Sequence, residues 1–182
     1  NGATKKYIER MGTRLDDNQR DRFFVDAGAT YNGTNTNTGQ NVTISAGTNY
    51  TRGESVTITA NYNLFNAPPS TDDVGDAIVL VDGTNYYRCN IVSTTSATVA
   101  TVKLDVDLPA SLRNTGLTNF EVARNVFTAG LSHLEGKTVS ILADGAVHPQ
   151  KVVSSGSVTL DRSSSVVHIG LPYNSDLQTL PL

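Results

Sequence analysis

The sequence predicts an all-β protein, and three observations carry that prediction. The chain has 182 residues, of which 23 are Thr and 19 are Val, and β-branched side chains suit the pleated surface of a strand. Asn, Gly and Ser are also abundant and suit the turns between strands. Apolar and polar residues alternate in many short segments, whereas no segment keeps the 3.6-residue period of a long helix.

The N-terminal part of the chain predicts two strands and a linker. KKYIERM (residues 5–11) and FFVDAGATY (23–31) are rich in strand-forming residues, and the polar segment between them predicts a loop or one turn of helix. NGTNTNTGQ (32–40) contains no apolar residue, so it predicts a mobile loop that marks a structural boundary.

The middle of the chain, residues 41–127, predicts short strands at regular intervals. Apolar side chains alternate with threonines in SVTITA (55–60), which is typical of a half-buried strand. Asp82-Gly83 lies between two apolar runs and predicts a hairpin. The segments that predict strands are NVTISA, ESVTITANY, AIVLVDG, YYRCNIVS, TVATVKLD and NFEVARNVF. Their spacing predicts a small barrel or sandwich.

The C-terminal part of the chain predicts a β-meander. TVSILADGAV (138–147) predicts a strand, a turn at Asp144-Gly145 and a return strand. A second turn is predicted at Ser155-Gly156, and SSSVVHIGLPY (163–173) predicts a final strand.

The segment GLSHLEGKT (130–138) nearly matches a phosphate-binding P-loop, in which four residues separate a glycine from the Gly-Lys pair. Here five residues separate Gly130 from Gly136, and Leu131 occupies the position that requires glycine. A P-loop also opens a helix, whereas Lys137 precedes the strand-like run TVSIL. We therefore expect a loop with hinge glycines and no nucleotide site.

The three histidines are dispersed along the chain. His133 lies in a predicted loop, His148 in a predicted turn before Pro149, and His168 in a predicted strand. Metal binding or general-base catalysis would require them to converge in space. A Ser-His-Asp hydrolase would need a Gly-x-Ser-x-Gly elbow, which SSGSV (154–158) lacks.

The aspartates and the cysteine also predict structural roles. Asp72, Asp73 and Asp76 resemble a calcium loop only loosely, because such a loop has acids at alternating positions and a glutamate at its end. We expect a cap or a surface turn there. The single cysteine, Cys89, excludes an intrachain disulfide and a cysteine-built zinc site. The sequence thus predicts no catalytic, cofactor-binding or metal-binding residue, and we expect no enzymatic activity.

Charge and hydropathy set further expectations. The net charge of −3 argues against a nucleic-acid-binding surface over the whole protein. Basic residues concentrate between Lys5 and Arg22, but acidic residues interleave with them, as on a solvated or interface face. No apolar run approaches the ~18 residues that span a membrane, so no membrane anchor is predicted. No secretory segment opens the sequence. Because it begins with Asn1 rather than Met and stops at Leu182 without a polar tail, we expect it to be part of a longer chain.

Two regions of the sequence carry a resemblance to a known family. They are YIERMGTRLDDNQRDRFFVDAGATYNG near the start, and GLSHLEGKTVSILADGAVHPQKVV with GSVTLDRSSSVVHIGLPYNSDLQTLPL near the end. Together they span roughly residues 7–33 and 128–182, and they resemble the tail nozzle or tubular proteins of short-tailed bacteriophages and related prophages.

The middle of the chain carries a second resemblance. DVGDAIVLVDGTNYYRCNIVSTTSATVATVKLD (73–105) is similar to a small β-barrel module inserted in such proteins, and to the FCCH domain of ubiquitin-activating enzymes. This likeness implies a fold and no ubiquitin chemistry. The expected architecture is therefore a discontinuous β domain from residues 1–40 and 128–182, with a small β-barrel inserted at 41–127.

The resemblance implies an architectural function. Proteins of that family form rings around the channel through which DNA leaves the capsid. The implied partners are further copies of the chain, neighbouring tail proteins and double-stranded DNA in transit. The implied location is the virion tail, after assembly in the host cytoplasm. We expect this chain alone to be monomeric or weakly associating.

Two other functions compete with that expectation. The first is a receptor- or carbohydrate-binding module of a tail fibre, in which tyrosines supply stacking faces for sugars. The candidates are Tyr50, Tyr62, Tyr86 and Tyr87. Strand tyrosines more often pack against residues on neighbouring strands. The second is a tail hydrolase that uses one of the three histidines.

Overall fold

The structure is a computed structural model that describes residues 18–70, 72–128 and 130–172. Over these residues the fold is all-β, as the sequence predicts. The strands are β1 (Asp26–Asn32), β2 (Val42–Ser45), β3 (Ser55–Ala60), β4 (Ala77–Asp82), β5 (Asn85–Ser96), β6 (Val99–Leu104), β7 (Gly116–Leu117), β8 (Phe120–Phe127), β9 (Thr138–Ala143), β10 (Ala146–Val152), β11 (Val158–Ser164) and β12 (Val166–Leu171). Short 3₁₀ turns lie at Gln19–Asp21, Ala110–Leu112 and Ser132–Leu134. None of the helical turns in these ranges is long and apolar enough to cross a membrane.

The strands form two antiparallel sheets. The smaller sheet has four strands in the order β1-β12-β9-β10, and the larger has eight in the order β11-β8-β4-β5-β6-β3-β2-β7. Strands β7 and β8 lie near opposite ends of the larger sheet, but only residues 118 and 119 connect them. The larger sheet must therefore curl around its inner face to bring these two strands close together. Its ladder nevertheless has two ends, β11 and β7, and the inserted barrel therefore stays a prediction.

Each sheet has its own hydrophobic core. The larger sheet buries residues between Val42 and Phe120, and the smaller sheet buries a second cluster under β9 and β12 that includes Ile141. Strand β8 joins the two, because Phe120 at its start belongs to the first core and Phe127 at its end belongs to the second. The predicted division into residues 41–127 and the remainder stays a prediction.

Small and polar residues allow the two sheets to approach each other. A minor buried cluster lies on β4 and β8, on the faces turned away from the larger core. It consists of Ala77, Val79 and Ala123. Two buried serines bond to the same region. Ser163 at the end of β11 donates its Oγ to the carbonyl oxygen of Gly75 at 2.8 Å, and Ser165 in the link between β11 and β12 donates to Glu121 Oε2 at 2.5 Å. Ser165 Oγ also lies 3.0 Å from Asp144 Oδ1 of the smaller sheet, so a polar contact joins the sheets there.

The structure confirms most predicted strands and corrects several details. FFVDAGATY begins its strand only at Asp26, which leaves Phe23 and Phe24 outside the strand and exposed. The turn predicted at His148-Pro149 is wrong, because both residues lie within β10. The two-residue strand β7 is too short to produce a periodic pattern, and the sequence did not predict it. KKYIERM lies outside the described residues.

Three predicted turns are confirmed. The pairing of Asp82 with Asn85 closes the hairpin between β4 and β5. Asp144 and Ser155 adopt positive φ values of 49° and 53° at the turns between β9 and β10 and between β10 and β11. A positive φ is accessible to short polar residues that bond to the nearby backbone. The turn chemistry that the sequence indicated is thus present in the meander.

Candidate functional site

A cleft of about 650 Å³ lies between the two sheets. Side chains alternate along a strand, so Tyr87 and Cys89 of β5 pack in the larger core while Tyr86 and Arg88 line this inter-sheet cleft. The Asp144-Gly145 turn lines it from the smaller sheet. The site is therefore assembled from segments that are distant in sequence.

A buried ion-pair network lies along one wall of the inter-sheet cleft. The guanidinium of Arg20 binds Glu121 through two bonds, Nη1 to Oε1 at 3.0 Å and Nη2 to Oε2 at 2.6 Å. Nη2 also lies 3.2 Å from Asp144 Oδ1, and Ser165 Oγ lies within bonding distance of both carboxylates. We call these four residues the Arg20 network. It joins the N-terminal segment, β8 of the larger sheet and the turn between β9 and β10.

The electrostatics of the Arg20 network favour the charged form of the guanidinium. Burial opposes the charge on Arg20, but the hydrogen bonds and negative charges of Glu121 and Asp144 outweigh it, so the pKa of Arg20 is raised. Bidentate arginine–carboxylate pairs also require a specific relative orientation of the two side chains. The network therefore fixes the orientation of the two sheets along this wall.

Two further arginines line the cleft and share one carboxylate. Arg88 Nε lies 3.9 Å from Asp105 Oδ2, and Arg162 Nη2 lies 3.4 Å from the same oxygen. Arg88 is otherwise held by neutral groups, with Nε donating to Asn90 Oδ1 at 2.8 Å and Nη2 donating to Ser163 Oγ. Burial lowers the pKa of Arg88, and the positive charge of Arg162 lowers it further. We call Arg88 and Arg162 the arginine pair.

The histidines lie on three different elements, and no hydrogen bond joins any two of them in the described ranges. His133 Nε2 contacts the carbonyl oxygen of Ala27 at 2.7 Å. His148 Nε2 accepts the backbone N–H of Asp161 at 3.0 Å, so its Nδ1 donates to the carbonyl of Pro149. His168 lies in β12, as predicted.

His168 is held from both ring nitrogens. Its Nδ1 lies 2.9 Å from Thr30 Oγ1, and its Nε2 lies 2.8 Å from the carbonyl oxygen of Arg20. It thereby ties the N-terminal segment to the smaller sheet. Over the described residues, no group of three or more His, Cys, Asp or Glu side chains is arranged to hold a metal.

The aspartates of the predicted surface turn are partly buried and bind arginine. Residues 72–75 form the turn, but Asp73 and Asp76 are buried. Arg124 Nη1 lies 2.6 Å from Asp73 Oδ1 and 2.9 Å from Asp76 Oδ2, and the N–H of Asn125 donates to Asp76. The two carboxylates thus balance a guanidinium and anchor the turn to β8; the expected turn is present, but Asp73 and Asp76 are buried beneath it.

The GLSHLEGKT segment is a loop, as predicted. Gly130 and Gly136 have positive φ values of 75° and 70°, and the single 3₁₀ turn Ser132–Leu134 lies between them. Strand β9 begins at Thr138, where a P-loop would begin a helix. Cys89 is buried in the larger core, and burial raises the pKa of its thiol to about 12.

The four tyrosines separate into packed and exposed groups. Tyr50 is buried, while Tyr62 and Tyr87 are partly buried against the larger core. Tyr86 is 47% exposed and lies under the guanidinium of Arg20, whose Cζ is 5.0 Å from the ring centroid. Only Tyr86 of these four therefore offers an accessible ring at the cleft.

Sequence reasoning missed the residues that build the cleft. Arg20, Arg88, Glu121 and Arg162 belong to four different segments and follow no motif. Glu121 and Arg88 occupy outward positions of their strands, where a charged residue is ordinary. These residues could have been found only by knowing that another segment of the chain covers the strand face on which they lie. The sequence alone does not show which strand faces are covered.

Neither a protein-family model nor a curated protein sequence matches the chain. Among solved structures, the chain is similar to VP17, a capsid protein of bacteriophage P23-77, with a TM-score of 0.25, 11% identity and coverage of 82% of this chain and 69% of that one. It is also similar to the VP16–VP17 complex of the two major capsid proteins of that phage, with a TM-score of 0.26, 13% identity and coverage of 84% and 74%. At these TM-scores we base no argument on the similarity.

Proposed function

We propose that this chain is a structural component of a bacteriophage virion, located in the tail and without enzymatic activity. It would assemble into a ring with further copies and contact neighbouring tail proteins around the DNA exit channel. The resemblance of residues 7–33 and 128–182 to tail nozzle and tubular proteins motivates the proposal. A net charge of −3 suits a channel wall through which DNA passes without being bound.

The observation that carries the proposal is the outer edge of the smaller sheet. Strand β10 ends the four-stranded order and exposes Val147 by 88% and Val152 by 58%. We propose that a second subunit packs against these two side chains, because removing exposed apolar area from water is favourable. Pro149 lacks an N–H donor, and the register of β10 shifts between His148 and Lys151. Both features disfavour the pairing of a further strand with this edge. The contact would therefore use side chains.

The Arg20 network supports the same proposal. A subunit of a ring transmits its orientation to the next subunit, so its own two sheets must hold a fixed relative position. The Arg20 network supplies such a constraint, because Arg20 binds both Glu121 of the larger sheet and Asp144 of the turn after β9 in the smaller sheet.

The test is the assembly state of the protein encoded by the complete open reading frame. We expect rings in negative-stain images, and their loss when Val147→Asp and Val152→Asp are combined. Val106→Asp is the matched control, because Val106 is 43% exposed and follows β6 of the larger sheet, so it does not belong to the smaller sheet whose edge is tested. A complete protein that stays monomeric at all concentrations would contradict the proposal. Rings that survive the double substitution would contradict the role of β10.

A receptor- or carbohydrate-binding module remains the second candidate function. One observation favours it, namely the exposed ring of Tyr86 beside the polar inter-sheet cleft. Specific sugar binding by a complete protein that forms no ring would favour this candidate over the structural role.

A further inference from the structure

We propose that the inter-sheet cleft binds an acidic sugar, with the sugar carboxylate on the arginine pair and the sugar ring against Tyr86. The proposal depends on the cleft alone and does not depend on ring assembly. The volume of the inter-sheet cleft, about 650 Å³, lies within the range of roughly 300–1,000 Å³ that small-ligand sites occupy.

The arginine pair supplies the carboxylate site. Two guanidiniums meet at one carboxylate, Asp105, and the closer of the two contacts is 3.4 Å. Arg88 is 11% exposed and otherwise bonds to neutral oxygens, whereas Arg162 is 70% exposed and free to reorient. A second carboxylate at this position would offset the repulsion between the two cations. Guanidinium forks match carboxylate geometry with two parallel bonds.

Tyr86 supplies the surface for the sugar ring. The Arg20 guanidinium lies over one face of the ring at 5.0 Å from its centroid, which restrains the side chain, and Tyr86 is 47% exposed, so we assign the sugar to the other face. An aromatic face carries negative electrostatic potential, and the C–H face of a pyranose is apolar and slightly positive. The two surfaces are therefore complementary.

Two further residues supply partners for hydroxyl groups. Asp144 of the turn after β9 is 33% exposed at its side chain, and Ser164 lines the cleft from β11, beside Arg162. A carboxylate and a hydroxyl can accept hydrogen bonds from sugar hydroxyls. A simple inorganic anion would use only the arginine pair, whereas an acidic sugar would use all three features of the cleft.

The first experiment titrates the chain with glucuronate, glucose and acetate and follows backbone amide shifts by NMR. We expect glucuronate to bind with a Kd of about 1 mM, which is reasonable for a ligand of this size. Glucose, which lacks the charge, and acetate, which lacks the ring, should each bind at least about tenfold more weakly. Equal affinity for glucuronate and acetate would overturn the proposal, as would equal affinity for glucuronate and glucose or no saturable shift with glucuronate.

The second experiment separates the two halves of the site. Arg162→Gln should weaken glucuronate binding about tenfold, and Tyr86→Leu should remove the preference for glucuronate over acetate. Lys103→Gln removes one exposed positive charge outside the cleft and should leave both affinities unchanged. If Lys103→Gln weakened glucuronate binding as much as Arg162→Gln, the loss of affinity would come from the change in net charge, and the proposal would be overturned. Thermal unfolding of each variant checks that Tyr86→Leu is folded.

Discussion

The guanidinium of Arg20 binds the carboxylate of Glu121 through two hydrogen bonds, the shorter of which is 2.6 Å, across 101 positions of the sequence. Both side chains are largely buried, at 13% and 7% exposure. The pair joins the N-terminal segment to β8, and Asp144 extends it to the smaller sheet. This contact is where the two cores of the protein meet through charge.

Removing the charge of Glu121 should destabilise the protein strongly. Glu121→Gln leaves Arg20 buried with only the partly exposed Asp144 as its counter-ion, and breaking a buried pair costs about 3 kcal/mol. The measurement is the free energy of unfolding in urea. The control is Lys151→Gln, which breaks the exposed Lys151–Asp161 pair of 2.5 Å and should leave the unfolding midpoint nearly unchanged. Equal effects of the two substitutions would show that burial does not set the strength of the Arg20 network.

Gly33 should tolerate no side chain. A Cβ on this residue would lie 1.9 Å from the carbonyl oxygen of Val122, because the chain passes between β8 and Ser165 with backbone bonds to both. We expect Gly33→Ala to lower the free energy of unfolding by about 3 kcal/mol. Gly39→Ala is the control, since its Cβ would meet only the flexible side chain of Asn37 at 3.3 Å. Similar urea midpoints for the two variants would contradict this close approach.

Residues 41–127 should fold when expressed alone. Every buried member of the larger core lies between Val42 and Phe120, so the segment carries its own core. The measurement is the reactivity of Cys89, whose pKa of about 12 and burial should protect it from thiol reagents at pH 8 until urea unfolds the segment. Ile58→Ala should lower the urea concentration at which protection is lost, by removing about 3 kcal/mol of stability. A thiol that reacts at the unfolded rate without urea would contradict an independent unit.

Glu54 should make stability depend on acid pH. Its carboxylate accepts the backbone N–H groups of Thr48, Asn49 and Thr51, and the bond from Thr48 is the largest cause of a pKa below the ordinary value of 4.5. A lowered folded-state pKa gives stability that is present above the unfolded value and lost as pH falls through the folded one. We therefore expect Glu54→Gln to be less stable than the wild type at pH 7, and this gap to shrink below about pH 4.5.

Urea midpoints of the wild type and Glu54→Gln at several pH values measure that gap. Hydrogen exchange of the Thr48 and Thr51 amides should quicken in the variant, while the Val139 amide in the other core should be unaffected. If the difference in stability between the wild type and Glu54→Gln stayed constant from pH 7 to acid pH, the effect of the substitution would not come from ionisation of Glu54.

Much of the fold was readable from the sequence because its signals are local. Alternation in SVTITA, the Asp82-Gly83 turn and the meander after Thr138 depend on neighbouring residues, and the structure places strands and turns there. The rejection of GLSHLEGKT as a phosphate loop was equally local, since the spacing of its glycines and the strand after it decide the matter. His148 and Pro149 show the limit, because His148 pairs with Ile141 of β9 and Pro149 lies in the register shift of an edge strand, where proline is tolerated.

By itself the sequence determined the strand content, the turn positions and the dispersion of the histidines along the chain. Only the tertiary structure decided which charges meet. Arg88 meets Arg162, and Ser165 meets Glu121 of the Arg20 network, because the end of β11 and Ser165 after it cross the outer face of β4 and β8 on small side chains. Strand alternation tells which face a side chain occupies, but it carries no information about what covers that face. The inter-sheet cleft and the exposure of Tyr86 depend on which segments pack over that face.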